Sequence, residues 1–99
     1  MTDRDDASPA ALDLRTLPSW VERHVVSIPV GHSHPYAEAE WRDALVMITA
    51  GDLEIECALG GRRRFEQGAI LWLVGLDVRW LHNPGPGAVT LTAIRRRRD

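Results

Sequence analysis

Residues 31–41, GHSHPYAEAEW, gather side chains that can move protons or bind ions. His32 and His34 flank Ser33, Tyr36 follows, and Glu38 and Glu40 come next. Two imidazoles with one carboxylate form a donor set suited to Fe, Mn, Ni or Zn. Without a metal, the same groups serve general acid–base chemistry, with His32 or His34 as base and Tyr36 as proton donor. Further along, VRWLH places Arg79 three residues before His82. A guanidinium against apolar walls is a good clamp for carboxylate or phosphate. Trp41, Met47, Trp72, Trp80 and Leu81 are candidates for such walls. Each has a plainer reading: loop histidines facing water, tryptophans in the core, Arg79 in an internal ion pair with Asp43 or Glu40, and His24 on a strand surface. No nucleophile–base pair, phosphate loop or nucleic-acid module is legible in the chain.

The elements that must position these residues are strands. Ninety-nine residues suffice for one small domain that buries about two-thirds of its unfolded surface. A net charge of -2 and a pI near 6.0 argue against a general nucleic-acid binder. All basic residues are Arg, so no lysine is present for Schiff-base chemistry. A single cysteine, Cys57, rules out an internal disulfide framework and reads as a small apolar strand residue. The start has no secretory pattern, and no apolar run approaches the ~20 residues of a membrane helix. A cytoplasmic protein with no membrane partner is the expectation.

Residues 1–18 read as an acidic lead-in, with Asp3, Asp5 and Asp6 before Pro18. Residues 20–30 suit a strand limited to an edge by Pro29, and 31–41 read as a loop. Residues 43–49 and 69–74 are continuous apolar runs, predicted as strands covered on both faces. Between them, residues 53–59 alternate, with Leu53, Ile55, Cys57 and Leu59 inward. A hairpin follows, and a three-residue loop at Gly60, Gly61 and Arg62 would pair Phe65 with Cys57. Residues 62–64 then face the Glu54/Glu56 row as a solvated tip. Residues 78–82 form a short strand, and 89–94 close the domain with Val89, Leu91 and Ala93 on one face. Residues 96–99, which end the run Arg95–Arg98, read as a solvated basic tail, with binding to an acidic partner as the alternative. Short strands with frequent turns and no long helix predict an all-β sandwich or barrel.

From Gly51 through Gly68 to Asn83 the chain resembles the core of a small single-domain cupin. Gly51 matches the glycine that ends the first cupin motif, Gly68 opens the second, and Asn83 matches its closing Asn. The resemblance spans roughly residues 30–94 and implies a double-stranded β-helix, or jelly-roll barrel, as the domain over residues 19–95. It also implies a metal site made from a His-x-His pair, a Glu and a second-motif His. His32-Ser33-His34 matches the pair, but the Glu position holds Ala44 and the second-motif His position holds Arg79. An arginine repels a divalent cation.

The expectation is therefore a metal-free, cofactor-free domain that binds a small anionic molecule in the barrel mouth. Arg79, His32 and His34 would contact the ligand, with Trp41, Met47, Trp72 and Leu81 around them. One alternative is a metal-dependent enzyme with shifted ligands: His32, His34, Glu38 or Glu40, and His82. A metal-free isomerase or cyclase using His34 and Tyr36 is the other. Small cupins often pair through edge strands, so a homodimer belongs to what the resemblance implies.

Overall fold

The computed structural model describes residues 17–97. Their elements in order are β1 (Val21–Ile28), β2 (Ser33–Pro35), α1 (Glu38–Trp41), β3 (Leu45–Ala50), β4 (Leu53–Cys57), β5 (Arg62–Phe65), β6 (Ile70–Leu71), β7 (Val78–His82) and β8 (Val89–Arg96). They build two four-stranded antiparallel sheets, ordered β1–β8–β3–β6 and β2–β7–β4–β5. The chain changes sheet after every strand except at the β4–β5 hairpin, so the two sheets form one jelly roll. No helix among the described residues is long and apolar enough to cross a membrane.

Alternation fills the space between the sheets. Val26 and Ile28 of β1, Val46 and Ile48 of β3, Leu53 and Ile55 of β4, Leu81 of β7, and Val89, Leu91 and Ala93 of β8 are buried together with Trp41, Leu73 and Val78. Thr90 and Ile94 face the other way on β8, as the sequence pattern predicts. Gly51 lets β3 pass tightly to β4 at φ +79. A Cβ there would press into the Ala88 carbonyl oxygen and lie 3.1 Å from Val89 Cα, so only glycine fits.

The hairpin corrects the predicted register. Phe65 pairs with Leu53, not Cys57, and Arg62 pairs with Glu56. The loop has three residues, as expected, but they are Ala58, Leu59 and Gly60, closed by the Cys57 N–H donating to Gly61 O at 2.8 Å. Gly60 takes the positive-φ position of the loop at +94°. Leu59 is consequently 97% exposed instead of inward. Phe65 still faces the core, because a four-residue shift of pairing preserves parity.

The two apolar runs are covered on one face only. In β3, Val46 and Ile48 are buried while Leu45 and Met47 are half-buried. Around β6, Leu73 is buried whereas Ile70, Trp72 and Val74 are exposed. A run apolar at every position does not reveal which of its two faces lacks a covering layer. The loop predicted over 31–41 contains β2 and the four-residue α1. At the other end, β8 continues through Arg95 and Arg96. Arg95 donates to Glu22 Oε1 at 2.9 Å, and Arg97 donates to the Ser19 carbonyl at 2.9 Å, so neither is a free tail. The acidic lead-in lies almost wholly outside the described residues.

Candidate functional site

β2 is three residues long, yet it sorts the chemistry of the GHSHPY segment. It pairs with β7 as Ser33–His82, His34–Leu81 and Pro35–Trp80. The Tyr36 N–H donates to Arg79 O at 2.9 Å and extends the ladder by one pair. Successive residues of a strand face opposite sides. His34 and Tyr36 therefore share the core side with Leu81, and Ser33 shares the outer side with His82.

On the core side, α1 brings Glu40 between two imidazoles. His34 Nε2 lies 2.9 Å from Glu40 Oε1, and His24 Nε2 lies 3.0 Å from Oε2. A carboxylate only accepts, so each imidazole donates from Nε2 and keeps Nδ1 as acceptor in its neutral form. Burial pushes the Glu40 carboxyl up, but the hydrogen bonds and charges of His34 and His24 outweigh it, leaving Glu40 below its ordinary range. Both rings meet Trp41 edge-on, with centroids 6.0 and 6.3 Å away. Trp41 is fully buried, and its indole Nε1 has no hydrogen-bond partner. His24, read from sequence as a surface residue, is thus a member of the cluster. Its contribution was hidden because β1 and α1 meet only in the folded chain.

This cluster differs from a chelate. The two imidazole nitrogens approach different oxygens of one carboxylate and flank it, whereas a bound ion needs its donors to converge on one point. Among the described residues, no group of three or more His, Cys, Asp or Glu is arranged to hold a metal ion. The other residues of the shifted-ligand set are elsewhere. His32 is exposed and its Nδ1 donates to Val30 O at 3.1 Å. Glu38 lies near Arg42, and His82 belongs to the outer row.

On that outer row, Ser33 Oγ lies 2.5 Å from His82 Nδ1, and His82 Nε2 lies 2.7 Å from Glu56 Oε1. Arg62 adds bonds to Glu54 at 2.6 Å and to Glu56 at 3.2 Å. The His82 hydrogen bond, with the charges of Arg62, His82 and Arg79, holds the Glu56 carboxyl below its ordinary range against the opposing effect of desolvation. Trp80 stacks on His82. A hydroxyl–imidazole–carboxylate relay is therefore present, although none was legible in sequence. Ser33 and His82 are 49 residues apart, and only the β2–β7 pairing joins them. Ser33 is exposed while His82 and Glu56 are half-buried, and electrostatic stabilisation of a reacting group is weaker where water enters. We read it as a polar brace across three strands.

Arg79 occupies a β-bulge. On the β4 side, Glu56 pairs with Trp80 and Cys57 with Val78, which leaves Arg79 as the extra residue of β7. Bulges re-aim side chains. The guanidinium is exposed and its charge is felt at Glu56, while among the described residues no hydrogen bond or ion pair engages it. The internal ion pair weighed with Glu40 is not formed, since both Glu40 oxygens are taken by His24 and His34. A cavity of about 200 Å³ is lined by Tyr36, Glu38, Leu73, Val74, Gly75, Asp77 and Val78; Arg79 follows Val78 in the chain and bonds Tyr36 through its backbone, without itself lining the cavity. Burial and the Glu38 charge raise the Tyr36 pKa above its ordinary 10.0.

The residues expected as walls do not converge on this place. Trp41 and Leu81 are core residues with no exposed surface. Met47 pairs with Thr92 and Ile70 in the other sheet, and Trp72 is 57% exposed beyond β6. Asn83 is structural: its Nδ2 donates to Ile28 O and Gly87 O, and its Oδ1 accepts from the Gly85 N–H, at 2.7–2.9 Å.

No family model matches the chain, and no curated protein matches it. Solved structures do. A protein from Neisseria meningitidis superposes with a TM-score of 0.58 at 14% identity, over 83% of this chain and 79% of that one. A Cupin 2 conserved barrel domain protein from Salinispora arenicola CNS-205 gives a TM-score of 0.57 at 19% identity, over 84% and 68%. At such identities the likeness is one of fold. The chain is an all-β, cupin-like jelly-roll domain.

Proposed function

We propose that this cupin-like barrel binds a small carboxylate-bearing molecule at the end framed by Tyr36 and Arg79. The observation that carries the reading is the exposed, unengaged Arg79 guanidinium on a bulge, opposite Tyr36 and next to Val78 of the 200 Å³ cavity. A guanidinium with no hydrogen-bonded internal anion binds a carboxylate through paired N–H donors. The cavity is smaller than drug-sized pockets, which begin at about 300 Å³, so the ligand is small. Glu38 and Asp77 on the lining favour a ligand that also carries hydroxyl or ammonium donors. A hydroxy or amino acid meets both demands.

An amide-resolved NMR titration with lactate and glycine, against acetate, tests this. Saturable shifts at Tyr36, Val78 and Arg79, stronger for lactate or glycine than for acetate, are expected. Arg79→Gln removes them and leaves the remaining spectrum in place. Binding unaffected by Arg79→Gln refutes the reading.

A second reading rests on the His34–Glu40 hydrogen bond. A carboxylate that fixes an imidazole tautomer is how general bases are oriented. In that case His34 is the base and Tyr36, held protonated by its raised pKa, is the acid. The domain then turns its ligand over instead of only holding it.

A further inference from the structure

A second cavity, of about 400 Å³, opens on the outer face of the β1–β8–β3–β6 sheet and shares no lining residue with the first. It is lined by Trp20, Leu45, Trp72 and Ile94, with Leu17, Val21, Asp43, Arg95 and Arg96 around them. The sheet register builds it. Leu45 pairs with Ile94, and Val21 pairs with Arg96. Val46 pairs with Leu71, so Trp72 follows opposite Leu45. Trp20 and Trp72 remain 59% and 57% exposed, an unusual state for the largest apolar side chains.

The charges at the rim are not equivalent. Arg95 is held by Glu22 and reaches the carbonyls of Ala39 and Arg42. Arg96 is exposed, and among the described residues no hydrogen bond or ion pair engages its side chain. Two arginines against Asp43 leave the lining with a net positive charge. An amphipathic anion complements both the apolar walls and the charge.

We propose that this outer-face cavity binds an amphipathic monocarboxylate. Its alkyl chain lies between Trp20 and Trp72 over Leu45 and Ile94, and its carboxylate meets Arg96. The cavity falls within the 300–1,000 Å³ range of small-molecule sites. The site is independent of the Arg79 reading, and either stands if the other fails.

The test is a calorimetric and NMR titration of the full chain with sodium decanoate below its micelle concentration. Decyltrimethylammonium serves as the cationic counterpart. One saturable decanoate site per chain is expected, with shifts at two indole N–H resonances and weaker binding of the cation. Trp72→Ala, at an exposed position, should abolish the site without changing the circular dichroism spectrum. Arg96→Gln should weaken decanoate by about tenfold and narrow its advantage over the cation. Equal binding of the two amphiphiles, or decanoate binding untouched by both variants, overturns the proposal. So does sedimentation as a dimer in which the Trp72 indole is protected.

Discussion

Alanine at Gly51 and at Gly60 makes a paired measurement of how tightly the two sheets are joined. Both glycines sit at positive φ, +79° and +94°. An L-residue in that region costs about 1–2 kcal/mol. At Gly60 nothing lies within 4 Å of an added Cβ, so Gly60→Ala should cost only that amount. At Gly51 the added methyl enters the Ala88 carbonyl oxygen and also meets Val89 Cα and Cγ2 at 3.1 Å. Two of these neighbours are backbone and cannot rotate away, so β8 must move at its first residue. Overpacking of this kind costs about 1–3 kcal/mol more. Gly51→Ala should therefore lose about 2–5 kcal/mol, a large share of the ~5–15 kcal/mol available to a domain. Urea unfolding of both variants, followed by tryptophan fluorescence, gives the two losses at one temperature. Equal losses would refute the argument, since they would mean that the turn after β3 does not press on the start of β8.

Acidification gives a second check. Glu40 and Glu56 both have folded pKa values below their ordinary 4.5. The folded state then binds fewer protons than the unfolded one. Their stabilising effect is complete above pH ~4.5 and is lost as pH falls through the lower folded values. The urea midpoint should hold steady from about pH 6 to 5 and drop below about 4.5, with a shallower drop in Glu40→Gln. A third check concerns metal. Protein purified without a histidine tag should carry only substoichiometric Fe, Mn, Ni and Zn by elemental analysis, because His24 and His34 address separate oxygens of Glu40. One ion per chain, lost on His34→Ala, would overturn that.

Much of the fold was legible because alternation is a one-dimensional signal. Val89, Leu91 and Ala93 had to face one way, and Leu53 and Ile55 another, wherever the strands went. Gly51, Gly68 and Asn83 resemble a cupin pattern for reasons the structure makes physical. Gly51 and Gly68 hold positive φ, and Asn83 ties Ile28 to the turn at Gly85 and Gly87. Arg79 stood out as a cation where the cupin resemblance implies a metal ligand, and its lack of a hydrogen-bonded partner among the described residues gives the proposed function its starting point.

Pairing over long chain distances was beyond the sequence. His24 joins Glu40 across 16 residues and Ser33 joins His82 across 49, and no local spacing reports such contacts. Nor did the apolar runs at β3 and β6 say that one of their faces would stay uncovered. That depends on which layer packs above the sheet, a property of the whole chain. Alternation was enough to say which side chains share a face within a strand, though not where the strand ends, as Leu59 shows. Only the tertiary structure decided which faces are covered and which distant groups meet, because both follow from strand pairing between segments far apart in the chain.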